Sequence, residues 1–167
     1  MQRIILVTGP AGAGKSSLGA RIARNTGWYH LSEDAVWDEF PRDPHTARTD
    51  AEKAVVQART VEYVRRELDR GRSVVLEFIL YEDPPQPVHF YRSACLALGV
   101  PVDVRVLRAP VDELLDRQTI RGNSHDRERE EADRRRNAEH QLRCAMSAEV
   151  ADEWVVDTAG TPLESVY

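Results

Sequence analysis

The segment Gly9-Pro10-Ala11-Gly12-Ala13-Gly14-Lys15-Ser16 follows directly on the apolar run Ile4 to Val7, and no other feature restricts this chain as much. A glycine, four residues and then Gly-Lys-Ser place unhindered backbone where it must turn tightly and aim its N–H groups at phosphate oxygens. At average residue frequencies the four fixed positions meet by accident in well under ~1% of chains this long. The strand-like run before the loop and the helical pattern after it complete the context that the motif needs. The expected binding set is Gly9, Pro10, Ala11, Gly12, Ala13, Gly14, Lys15, Ser16 and Ser17, with Lys15 on the outer phosphates and the Ser16 hydroxyl on magnesium. A nucleoside triphosphate with Mg2+ is therefore the first ligand implied. Lys15 and Lys53 are the only lysines among 23 basic residues, so lysine persists where a compact point charge suits phosphate better than a planar fork.

A length of 167 residues suits a single domain with a three-layer core, and no linker or repeat divides it. The net charge of -5 speaks against a general nucleic-acid surface, although small anions can still be held locally. Cys95 and Cys144 stand apart without paired spacing, and no signal peptide or long apolar span appears, so a cytoplasmic protein without a membrane partner is expected, as monomer or dimer. The scattered histidines show no metal-ligand spacing.

Short apolar runs alternate with longer helical patterns, which predicts an α/β fold, a parallel sheet covered by helices on both faces. Strands are expected at Arg3 to Thr8, Trp28 to Leu31, Ser73 to Ile79, Val102 to Leu107 and Trp154 to Val156. Helices are expected at Ser16 to Asn25, Asp34 to Phe40, Ala51 to Arg70, Val88 to Leu98, Val111 to Arg121 and Arg129 to Val150. A further helix opens at Thr161-Pro-Leu-Glu164 with a capping box, and because the chain stops at Tyr167 a longer natural C-terminus is expected.

Ligands of an open parallel sheet sit beyond the carboxyl ends of its strands, so acids at those ends are the first candidates for chemistry. Asp34 follows the second strand and Glu77 ends the third. Phosphoryl transfer needs an acceptor oxygen held in line and relieved of its proton, a task for Asp34, while Glu77 stands where an acid can hold a magnesium water or polarise a nucleophile. The competing reading of Asp34 is a helix cap within Ser32-Glu33-Asp34. Of the aromatic residues on this side, Trp37 and Tyr81 are the candidates to line an acceptor pocket, and Arg48 is expected at the surface.

The phosphate loop, the acid after the second strand and the stretch Leu107-Arg-Ala-Pro-Val-Asp-Glu-Leu-Leu-Asp-Arg117-Gln-Thr-Ile-Arg121 resemble the small-molecule kinases of the P-loop NTPase superfamily. Shikimate kinase, gluconate kinase and chloramphenicol phosphotransferase belong to that group. The ending Val155-Val156-Asp157-Thr-Ala-Gly160 is similar to its final strand and adenine-side loop. The resemblance implies a five-stranded parallel sheet, a mobile arginine-bearing lid at about 122–135, and ATP-dependent transfer to a hydroxyl of a small molecule. It assigns Lys15, Asp34, Glu77, Arg117 and Arg121 to catalysis, with Arg117 and Asp157 also on the nucleotide. Against shikimate kinase, Asp34 falls on the second of two paired aspartates and Ser32 replaces the first, while Glu77-Phe-Ile-Leu-Tyr81 stands in place of a glycine-rich turn, which weakens shikimate as acceptor.

Arg117 and Arg121 lie four apart on one helix face ahead of the polar Gly122 to Asp126, a setting suited to a lid hinge. Arg127 is a weaker third candidate. Farther along, acids and arginines balance from Asp126 to Arg143 and read as a solvated surface. Asp157-Thr-Ala-Gly160 also spells a GTPase switch motif, but it comes too late in the chain and no Asn-Lys-x-Asp guanine reader follows. A nucleoside monophosphate kinase is the nearer alternative. A polynucleotide 5′-kinase is disfavoured by the acidic balance and by Ala35-Val-Trp37 beside Asp34.

Overall fold

Five parallel strands in the order β2-β3-β1-β4-β5 form the sheet on which the molecule is built. The computed structural model describes residues 1–40, 48–121 and 131–160, with the side chain of Arg121 left out. In chain order the elements are β1 (Ile4–Thr8), α1 (Lys15–Thr26), β2 (Tyr29–Ser32), α2 (Glu33–Trp37), α3 (Asp50–Asp69), β3 (Val74–Glu77), α4 (Gln86–Leu96), β4 (Val102–Arg108), α5 (Val111–Arg121), α6 (Glu131–Ala145) and β5 (Val155–Asp157). A 3₁₀ turn at Asp152–Trp154 leads into the last strand.

β1 lies at the centre, with Leu6 beside Leu76 of β3 on one side and Val104 of β4 on the other. Side chains alternate across the pleat. Ile4 and Leu6 therefore join Leu31, Val36, Val64 and Tyr91 in one buried cluster, while Val7 joins Leu18, Ile22, Val75, Leu107 and Leu114 in another. This two-sided burial is the physical basis of the near-continuous apolar strands in the sequence.

The expected architecture holds, and the differences lie at the ends of elements. β2 starts and finishes one residue later than expected, because Ser32 still pairs with Glu77. α2 begins at Glu33 and closes at Trp37, where the Phe40 N–H turns back onto the Trp37 carbonyl at 3.0 Å. α3 begins at Asp50 because Thr49 and Glu52 form a full capping box, whose Thr-x-x-Glu pattern is present in the sequence. The last long helix stops at Ala145 instead of Val150, since the Arg108 guanidinium reaches up from β4 and takes the Ala145 carbonyl, with Nε at 2.8 Å. The expected helix at Thr161 to Glu164, together with Gly122 to Asp126 and Arg127 in the expected lid, lies outside the described residues. No described helix is long and apolar enough to cross a membrane.

Candidate active site

The phosphate loop bridges β1 and α1 and is gripped on its outer side by backbone. A Cβ at Gly9, whose φ is +138°, would collide with the Leu107 carbonyl of β4, and one at Gly12, φ +85°, would lie 2.5 Å from the Leu114 carbonyl of α5. The two glycines are required both by conformation and by space. Gly14, also left-handed at φ 97°, starts α1, so the first amides of that helix open towards the cleft. Lys15 is folded back, its Nζ donating to the Pro10 carbonyl at 2.9 Å.

The cleft beside the loop is lined by Ala11, Gly12, Gly14, Lys15 and Ser16 on one wall and by Ser32, Asp34, Glu77, Phe78 and Ile79 on the other. The structure thus brings Lys15, Ser16, Asp34 and Glu77 to one place, at the carboxyl ends of β1, β2 and β3. Asp34 is exposed in the first turn of α2, and the cap position belongs to Ser32, which makes no side-chain capping bond. Its carboxylate is left free to face the cleft rather than serving as a cap.

Glu77 is 6% exposed. Burial pushes its carboxyl up, but His30 beside it, the Lys15 charge and a hydrogen bond from Ser16 outweigh that and hold it below the ordinary carboxylate range. His30 Nε2 stands 3.4 Å from Glu77 Oε2, near enough for an ion pair yet misaligned, so neither buried atom has a hydrogen-bond partner. Gly19 of α1 creates the room for this imidazole, since a Cβ there would strike its ring. Behind Asp34, Glu33 is buried and accepts a 2.5 Å hydrogen bond from the Tyr91 hydroxyl. Desolvation raises the Glu33 carboxyl above its ordinary value despite that bond.

Magnesium and a triphosphate can be tested against these residues. Glu77 Oε2 is an ionised, buried oxygen without a hydrogen bond, and it lies in the same cleft as the exposed Ser16 hydroxyl and the Lys15 ammonium. Among the described residues no group of three His, Cys, Asp or Glu could hold a metal alone. A hydroxyl and a nearby carboxylate suit an ion that keeps most of its ligands from phosphate and water.

Other expected residues fall differently. Arg117 is 8% exposed and is not part of a free lid face. Its guanidinium donates to the Thr158 carbonyl at 2.7 Å, the Thr158 hydroxyl at 3.1 Å and Glu113 Oε1 at 2.5 Å. It thereby ties α5 to the turn after β5. Asp157 ends β5 exposed and accepts from the Ala159 N–H at 2.8 Å, shaping that same turn. The Ala11 N–H, expected on phosphate, donates instead to Gln141 Oε1 at 2.7 Å. Trp37 is buried with Arg48 stacked 4.1 Å above its ring, and Tyr81 is exposed outside the cleft, so Phe78 supplies the aromatic surface in their place. His30, Glu33, Tyr91, Thr158, Gln118 and Gln141 were not among the candidates. The mid-helix Gly19 was the one local hint, marking a close approach to α1.

The family model described as "AAA domain" matches residues 4–145. No curated protein matches the chain. Among solved structures, a sugar kinase from Janibacter sp. HTCC2649 superimposes with TM-score 0.64 at 19% identity, covering 99% of this chain and 90% of its own. The tunicamycin resistance protein of Deinococcus radiodurans gives 0.68 at 15% identity, over 99% and 91% of the two chains. A gluconokinase from Sinorhizobium meliloti 1021 gives 0.64 at 19% identity, over 99% and 87%. At these identities the likeness is one of fold.

Proposed function

The chain belongs to the AAA-domain family, and from that membership we propose that it is an ATP- and Mg2+-dependent phosphotransferase acting on a hydroxyl of a small molecule. The observation that carries the reading is the cleft in which Lys15 and Ser16 face Asp34 and Glu77. A nucleotide switch needs the loop and an acid such as Glu77 for its magnesium, whereas a phosphotransferase needs in addition a second carboxylate, here Asp34, to hold the acceptor hydroxyl. The names of the superimposable sugar kinase and gluconokinase point the same way.

When bound, ATP supplies the γ-phosphoryl group and magnesium neutralises its charge. Lys15 would leave the Pro10 carbonyl and place its ammonium on the outer phosphates, while Ser16 and Glu77 are the residues that would hold the ion. Asp34 would accept a hydrogen bond from the acceptor hydroxyl, keep it in line and take its proton as the hydroxyl oxygen bonds to the γ-phosphorus and the bond from that phosphorus to the β,γ-bridging oxygen breaks, releasing ADP. Arg117 and Asp157 shape the adenine side through the turn at Thr158. Arg121, at the end of α5, supplies positive charge near the transferred group, ahead of a lid over about 122–135. The reading covers 1–167 as one catalytic domain.

Two measurements test this. Calorimetry with Mg-ATP and Mg-GTP should show binding to the wild type, and its absence for both would end the reading. A screen of hydroxylated metabolites and antibiotics for ATP-dependent phosphorylation then identifies the acceptor. With that acceptor, Asp34→Asn should bind ATP normally while turnover falls about 10²- to 10⁴-fold. Full turnover in that variant would remove the base assignment, and unchanged turnover in Arg121→Ala would remove the lid assignment.

A further inference from the structure

Both backbone groups of Ala11, on the crest of the phosphate loop, are taken by glutamine side chains. The Ala11 N–H donates to Gln141 Oε1 at 2.7 Å, and the Ala11 carbonyl accepts from Gln118 Nε2 at 3.0 Å. The backbone partner dictates which end of each carboxamide faces it, so Gln118 works as the donor and Gln141 as the acceptor. They arrive from different helices, α5 and α6. Both are buried, at 6% and 2% exposure. A carboxamide enclosed this far is costly unless it is hydrogen-bonded, and in each case the loop provides the bond.

The loop needs such support. Gly9, Gly12 and Gly14 give it the freedom to turn, and the same freedom lets it wander when no ligand is present. Phosphate oxygens are bound well only by amides already aimed at them, because ordering the loop at the moment of binding is subtracted from affinity. Gly9 is fixed against β4 and Gly12 against α5 by close backbone approach, and the Ala13 carbonyl receives the Thr158 hydroxyl at 3.4 Å. Among the described residues, the peptide groups of Ala11 are held by side chains alone.

We propose that Gln118 and Gln141 are positioning residues of the phosphate loop, fixing Ala11 from both sides so that the amides after it point into the cleft before nucleotide arrives. The proposal rests on the nucleotide-binding reading given above. It assigns the Ala11 N–H to Gln141 and leaves phosphate contact to the later amides.

Calorimetry with ADP and AMP on Gln118→Met, Gln141→Met and the double variant tests it, since only ADP places a β-phosphate in the loop. Each single variant should bind ADP about tenfold more weakly and AMP as the wild type does. The double variant should lose little more than either single one, because each loss frees the same residue. Unchanged ADP affinity, an equal loss for ADP and AMP, or losses that multiply would overturn the proposal. Should the variants not fold, hydrogen exchange on the nucleotide-free wild type decides. A protected Ala11 N–H supports the clamp, and one exchanging as fast as an exposed amide overturns it. A wild type with a protected Ala11 N–H that binds no ADP would retain the clamp as geometry while removing nucleotide binding, and with it the proposed role.

Discussion

Glu33 and Glu77 are both buried acids near one cleft, yet their surroundings drive them in opposite directions. Glu77 has His30, Lys15 and Ser16 around it and is held ionised, whereas Glu33 is dominated by desolvation. For Glu33 the native state binds its proton more tightly than the unfolded chain, whose ordinary value is 4.5. Stability from this group is therefore full below that value and falls as pH rises through the raised native one. Glu33→Gln should flatten the fall in melting temperature above pH 4.5, and an unchanged profile would show that Glu33 does not titrate there. Gly19→Ala should cost about 1–3 kcal/mol in denaturant unfolding, because the new methyl must displace the His30 ring. Asp34 and Glu77 were legible in the sequence because strand ends announce themselves through apolar runs. Glu33 was not, since Tyr91, which explains it, lies 58 residues away.

Between elements, the turn after β5 depends on α5. Arg117 takes the Thr158 carbonyl, Glu113 takes the Gly160 N–H at 3.1 Å, and the Thr158 N–H closes on the Arg108 carbonyl at 2.7 Å. Arg117→Met strands the Thr158 carbonyl and removes the ion-pair partner of Glu113, which keeps the Gly160 N–H. A loss of about 1–3 kcal/mol in unfolding free energy is expected. The same variant should weaken ATP through its adenine end, so adenosine and ATP should lose affinity by a similar factor in calorimetry. The spacing of Arg117 from Arg121 is visible in the sequence, but the inward turn of its charge is not. A helix face is readable from periodicity, whereas the partner that captures a side chain on it comes from a distant strand. Helix ends showed the same limit, as with Ala145, whose capping guanidinium belongs to a residue 37 positions earlier.

For the whole molecule, a ligand that binds only the folded state must raise its melting temperature. At Mg-ATP about one hundred times above Kd the gain is about 2.7 kcal/mol, or roughly 5–10 °C for a chain of this size. No shift at saturating nucleotide in a thermal melt would contradict the proposed donor. The alternation of strands and helices made the parallel sheet legible, since two-sided burial leaves long apolar runs in the sequence itself. The strand order β2-β3-β1-β4-β5 has a further consequence. The central strand divides the sheet into halves that are also consecutive in the chain: β2, α2, α3 and β3 lie to one side of it, β4, α5, α6 and β5 to the other. Asp34 and Glu77 belong to the first stretch, the grip on the loop and the turn at Thr158 to the second. On the proposed function, a chimaera that exchanges the first stretch as one uninterrupted cassette would therefore inherit a new acceptor preference and keep its old nucleotide.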